Sequence, residues 1–178
     1  MKKYYLFIAL TFFIGIIGCA GSFRMKEKRV TEAVAALNPT QGSNVRGSIT
    51  FKEIPAGVQV VGDIEGLTPG KHGFHVHEVG DCSAPDASSA GAHYNPTAMP
   101  HAAPIQAQRH IGDLGNVVAN ENGRVHLDYI DPVLRLNGEH SIVGKGVIVH
   151  AREDDLKTQP TGNAGGRVAC GVIEAVQP

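Results

Sequence analysis

Tryptophan is absent from this chain of 178 residues, and aromatic side chains make up only 6% of it. With 22 glycines beside so few rings, the composition favours many short strands and turns over a helical bundle. No segment holds a sustained 3.6-residue apolar period, so no helix is predicted. No internal repeat is present, which excludes a solenoid. Charge of one sign is also missing. The formal net charge is −1, so no basic excess marks a nucleic-acid binder. Long apolar runs are scarce too. The longest, Leu6 to Ile17, is too short for a typical transmembrane helix. What remains is enough chain for one domain around one core.

That apolar run follows Lys2 and Lys3, so residues 1–18 read as a signal peptide and the chain as exported. The run ends in Ile16-Ile17-Gly18-Cys19, which resembles the lipobox of bacterial lipoproteins. In those proteins the cysteine is lipidated and becomes the new N-terminus. The expectation is a lipid on Cys19, a polar tether over residues 19–32, and a domain over residues 33–178. The membrane is then touched through the lipid alone. Ala20 stands where an inner-membrane retention signal would have Asp, which favours the outer membrane of the envelope. An ordinary signal peptide with an incidental cysteine is the alternative, and export follows either way.

Cysteine is scarce, at three residues. With Cys19 set aside, Cys82 and Cys170 form an even pair in an oxidising compartment, and a disulfide is the default. Closing so long a loop is worth on the order of 4–5 kcal/mol in the chain-entropy model.

Period-two alternation marks Val45 to Phe51 and Val58 to Ile64, separated by the Pro55-Ala56-Gly57 turn. Further strands are predicted over residues 33–38, Lys71 to Val79, Gly115 to Ala119, Arg124 to Ile130, Ile142 to His150 and Arg167 to Val176. Asn120 to Gly123 reads as the turn of a hairpin between the two middle ones. Eight short strands fit an all-β, antiparallel sandwich or barrel.

The chain is organised around His75 to Asp113. His75 and His77 sit two apart, so on a strand both imidazoles leave one face. About 35 residues without periodicity follow, a length that is usually functional in a compact domain. They carry His93, His101 and His110, with Asp113 just after. A metal would order such a loop where apolar burial cannot. His150 ends an apolar strand and lies either at an exposed rim or in a site. His126 falls on a polar face, His140 in a loop, and His72 is expected to bond backbone. Imidazoles suit Cu, Zn, Fe or Ni, and a carboxylate beside three imidazoles suits zinc. Seven candidate ligands exceed one tetrahedral site, and two metals sharing a ligand would use them all.

Several motifs now agree. Gly73-Phe74-His75-Val76-His77-Glu78 and Gly162-Asn163-Ala164-Gly165-Gly166-Arg167-Val168-Ala169-Cys170-Gly171 resemble the two signatures of the copper–zinc superoxide dismutases. Ala92-His93-Tyr94-Asn95-Pro96 and His110-Ile111-Gly112-Asp113-Leu114-Gly115-Asn116 also match that family. Gly80-Asp81-Cys82-Ser83-Ala84-Pro85 looks like its bacterial, exported branch. The resemblance spans roughly residues 33–177. It implies an eight-stranded Greek-key sandwich or flattened barrel, an architecture for which this family is a standard example, with two long loops forming the metal site. It implies one copper on His75, His77, His93 and His150. It implies one zinc on His93, His101, His110 and Asp113, with His93 bridging both. Arg167 matches the arginine that guides the substrate, and Asp154 the carboxylate that links a copper histidine to a zinc histidine. The implied reaction is disproportionation of superoxide to dioxygen and hydrogen peroxide by a redox-cycling copper beside a structural zinc. It would protect the cell envelope, and a homodimer is a possible assembly.

One departure stands out. The second loop, Asp154 to Gly162, is short and lacks the acidic–lysine cluster of eukaryotic members. Only Lys157 is available there, so steering would fall to Lys71, Lys145, Arg109 or Arg152. The rival reading is a copper-handling protein on the same scaffold without turnover. The presence of Arg167 beside a full ligand set counts against it.

Overall fold

The computed structural model describes residues 28–177 and Met1. The expected signal peptide, Cys19 and most of the expected tether lie outside the described residues. Val30 exchanges two hydrogen bonds with the Asn137 side chain, at 2.8 and 2.7 Å, so the chain is fixed to the barrel from about that point.

Eight strands do the work, as the alternation predicts. They are β1 (Glu32–Pro39), β2 (Arg46–Ile54), β3 (Gly57–Glu65), β4 (Gly70–His77), β5 (Asp113–Ala119), β6 (Val125–Asp131), β7 (Gly146–His150) and β8 (Arg167–Val172). A two-residue β9 (Glu174–Ala175) pairs with β1 after a break at Ile173. One 3-10 turn, Ser88–Ala90, is the only helical element among the described residues.

All pairings are antiparallel, in the order β5-β4-β7-β8-β1-β2-β3-β6. The β3–β4 and β6–β7 connections cross between the two halves, and the sheet curls into a nearly closed barrel. Phe51, Ile49, Val58, Val60, Phe74, Val76, Val147 and Val149 fill it. Ile49, Phe51, Val58 and Val60 come from β2 and β3, whose alternate side chains point outward, which is why period two was readable there.

Two expectations change. β5 and β6 do not form a hairpin. Asn120 to Gly123 does turn the chain, with Asn120 N–H donating to Arg124 O at 2.9 Å. β5 then pairs with β4 and β6 with β3, so the two face each other across the barrel seam without a ladder. Local pattern located both strands but not their partners. The strand expected over Ile142 to His150 is also shorter. Residues 142–145 form a turn with Gly144 at φ +79°, a backbone conformation that suits glycine.

Cys82 and Cys170 are joined, with Cα atoms 5.8 Å apart and a sequence separation of 88. Their sulfurs pack with Ala87, Ala90 and Ile148 in a small second cluster outside the barrel. The disulfide thereby fastens the start of the first long loop to β8.

Candidate metal centre

β4 is buried on both faces, and that places the site. Phe74 and Val76 point into the barrel, while His75 and His77 leave its outer face. They are covered only because two loops, residues 78–112 and 151–166, fold over them. His75 pairs across strands with Ile148 and with Asp113, and a bulge between Gly73 and His75 sets the second match. The first loop returns to β4 through Tyr94 N–H to Val76 O at 2.8 Å and Glu78 N–H to Ala92 O at 2.9 Å. That bridge lays His93 beside His77. His150 ends β7 opposite Arg167 on β8.

All seven residues singled out as ligands are buried and fall into two groups. One is His75, His77, His93 and His150, and the other is His93, His101, His110 and Asp113. Within each, one nitrogen or oxygen per residue lies within 4.8 Å of the rest. His93 belongs to both.

The first group fits a metal by its unused atoms. His75 Nδ1, His77 Nε2, His93 Nε2 and His150 Nε2 are buried without a hydrogen-bond partner. Four orphaned lone pairs in one place are costly unless a cation takes them. The opposite nitrogens are committed. His75 Nε2–H donates to Asp154 Oδ2 at 2.8 Å, His77 Nδ1–H to Gly91 O at 2.9 Å, and His150 Nδ1–H to Gly165 O at 3.1 Å. Such partners fix the tautomer and aim the free nitrogen. Burial lowers all three pKa values, aided by neighbouring positive charge, to about 4 for His75, about 2 for His77 and about 3 for His150. The rings are neutral and ready to ligate.

The second group converges on one oxygen. Nδ1 of His93, His101 and His110 lie 2.9, 2.9 and 3.1 Å from Asp113 Oδ1. Asp113 Oδ2 meanwhile accepts from the Ala102 and His110 backbone N–H groups, each at 3.1 Å. Three imidazoles and a carboxylate at this spacing are a zinc donor set. His101 touches two carboxylates, since its Nε2–H donates to Asp154 Oδ1 at 3.0 Å. Burial works against its charge, but the hydrogen bonds it donates to Asp113 and Asp154 win and raise it to about 9. Burial would raise Asp113 and Asp154. Their histidine partners instead hold both well below the usual carboxylate range.

Arg167 is pinned to the first loop, donating from Nη1 to Ala87 O at 2.5 Å and from Nη2 to Gly91 O at 2.6 Å. Gly91 O also accepts from His77, so one carbonyl sets both the arginine and a candidate ligand. The disulfide anchors the loop that carries it.

Residues 45–173 match the family model described as copper/zinc superoxide dismutase (SODC). The chain belongs to the copper/zinc superoxide dismutase family. It is 43% identical over 154 residues to the extracellular superoxide dismutase [Cu-Zn] of Brugia pahangi, covering 82% of this chain and 76% of that one. It is 47% identical over 153 residues to the protein of the same name from Drosophila melanogaster, covering 80% and 84%. Its fold is similar to the crystal structure titled clock protein EA4, with a TM-score of 0.77, 44% identity, and 84% and 97% of the two chains covered.

Within this dismutase scaffold the remaining sequence candidates sort by environment. His72 is buried and bonded to backbone as expected, with Nδ1 2.9 Å from His150 O and Nε2 2.9 Å from Thr68 O. His126 is on the surface beside Asp63, with Nδ1 2.9 Å from Oδ1. Arg109 is no steering cation. It is buried, pairs with Asp131 at 2.5 Å, and donates to the carbonyls of His110, Ile111 and Asp113. Lys71 is paired with Glu153 at 2.7 Å, and Lys145 donates to Glu78 O at 3.0 Å. Arg152 has no carboxylate partner among the described residues, and it donates to Asn163 Oδ1 at 3.3 Å.

Residues that sequence reasoning passed over hold Asp154 in place. Asn116 donates from Nδ2 to Asp154 O at 2.9 Å and accepts from Asp154 N–H at 2.8 Å. Asn116 and Gly162, where a Cβ would overlap Asp154 Oδ1, both lie inside the quoted motifs, and that was the available signal. Asp155, next in the chain, faces away from the donor groups' partners: it accepts from Lys157 and Thr158 and staples the second loop's turn.

Proposed function

We propose that this chain disproportionates superoxide in an exported compartment, with copper on His75 Nδ1, His77 Nε2, His93 Nε2 and His150 Nε2. Zinc would be held by Nδ1 of His93, His101 and His110 and by Asp113 Oδ1. The observation that carries this reading is the shared His93, whose two nitrogens face the two donor groups. When bound, copper supplies one-electron redox chemistry and zinc supplies fixed geometry without redox activity.

Two superoxide anions and two protons give one dioxygen and one hydrogen peroxide. The protein's part is electrostatic and positional. Arg167 attracts the small anion and holds it by hydrogen bonds beside His150. His93 Nε2 offers one lone pair to the first donor group, so it would serve either as a copper donor or, when free of the metal, as the holder of a proton for the departing product. Asp154 keeps His75 and His101 in register, so both donor sets are pre-formed.

Export is supported by the leader over residues 1–18 and by relatives named extracellular superoxide dismutases. The finer reading is a bacterial-type lipoprotein, attached through Cys19 to the outer membrane and guarding the envelope. The Ile16-Ile17-Gly18-Cys19 motif supports it.

Metal analysis of two variants tests the ligand assignment. His101→Ala is expected to lose zinc and keep copper, and His93→Ala to disturb both. Full retention of both metals by His93→Ala would refute the shared ligand.

A further inference from the structure

His101 is the zinc-side residue with the least local support. It lies in the irregular part of the first loop, outside any strand. Its main-chain N–H and C=O make no backbone hydrogen bond among the described residues, although the residue is buried. Buried main-chain groups need partners, and here one side chain supplies both. Gln159 Oε1 accepts from His101 N–H at 2.8 Å, and Gln159 Nε2 donates to His101 O at 2.8 Å.

Gln159 is itself held ready by a compact turn in the second loop. Asp155 accepts from the N–H groups of Lys157 and Thr158 and from the Thr158 hydroxyl. Gly162 N–H donates to Thr158 O at 2.7 Å, and Asp155 N–H to Gly162 O at 2.8 Å. Gln159 Nε2 also donates to Lys157 O at 3.1 Å.

We infer that Gln159 is a positioning residue for zinc, clasping the His101 backbone so that the ring's Nδ1 is aimed at Asp113. The inference rests on the zinc assignment above. It gives the short second loop a task other than substrate steering. With Asp154 on the ring and Gln159 on the main chain, that loop grips His101 at three points, 53 and 58 positions away in sequence. His75, His77 and His150 are strand residues and need no such clasp.

The test measures zinc and copper affinities of the metal-loaded full chain by chelator competition, together with the visible spectrum of cobalt placed at the zinc site. Gln159→Ala is expected to weaken zinc by about tenfold or more, alter the cobalt spectrum, and leave copper affinity unchanged. Gln159→Glu keeps the length but turns an oxygen toward His101 O, and it is expected to weaken zinc as well. His101→Ala is the control. If His101→Ala releases zinc while either Gln159 variant binds it like the parent, the clasp is refuted and the ligand assignment stands. Equal loss of both metals in Gln159→Ala would also refute the clasp, because it would report general loosening. If His101→Ala retains zinc, the ligand assignment falls and the inference with it.

Discussion

The Asp154 carboxylate stands 3.0 Å from His101 Nε2, and its second oxygen reaches His75 Nε2 at 2.8 Å. One buried side chain thus spans both donor groups. His75 is also fixed by β4, whereas His101 sits on an irregular loop. Asp154→Leu should therefore cost zinc before copper, by about 10- to 100-fold in zinc affinity. Chelator competition, read for both metals, checks the order of loss.

Gly162 guards that link. Its φ is +65°, and a Cβ there would overlap Asp154 Oδ1 and lie 2.6 Å from His101 Nε2. Gly162→Ala carries backbone strain of roughly 1–3 kcal/mol and pushes the carboxylate off its partners. The expected result is a lower unfolding midpoint and weaker zinc binding. Unchanged values for both would show that the loop yields freely.

The two donor groups should differ in pH response. His101 is raised to about 9, so in the metal-free protein it carries a proton at pH 7. Zinc must displace that proton, so zinc affinity rises with pH and levels off near 9. His75, His77 and His150, at about 4, 2 and 3, hold no such proton above pH 5. Their contribution to copper affinity should be flat from pH 6 to 9. The linkage to folding has the matching sign. The raised His101 value stabilises the metal-free fold fully below its ordinary 6.5, and the gain is lost as pH rises through about 9. Calorimetry in buffers of different ionisation enthalpy counts the released proton.

Arg167 is held by two carbonyls of the disulfide-anchored loop and has no carboxylate partner among the described residues. Arg167→Gln is expected to lower kcat/KM by about tenfold or more and to flatten its dependence on ionic strength. Copper and zinc contents should not change. A variant with parental rate would remove Arg167 from substrate guidance.

Arg109 and Asp131 join the zinc-side turn to the end of β6 across the barrel seam. Asp131 also caps Val133 and Leu134 N–H, at 2.8 and 3.0 Å. Arg109→Met leaves that carboxylate buried without its cation, at a cost of about 3–5 kcal/mol. Denaturant unfolding of the metal-free protein measures it.

Sequence carried much of this, for identifiable reasons. Strands with one face in the barrel alternate, so β2, β3 and β6 were visible as local pattern. The histidines were visible because their spacing on β4 and their crowding in a loop are hard to reconcile with packing alone. Pairing partners were not visible. Neighbours in sequence, β5 and β6 close opposite sides of a seam, and no local period encodes that choice. Arg109 looked like a surface cation because charge is read without burial. Gln159, Asn116 and the Gly91 carbonyl escaped notice because they act through backbone geometry, which a residue type does not announce.

The most direct measurement is superoxide disproportionation by the exported chain, with copper and zinc counted in the same sample. Two complete donor groups predict one copper and one zinc per chain together with fast turnover. Full metal occupancy without turnover would contradict the account and turn the chain into a copper-handling protein.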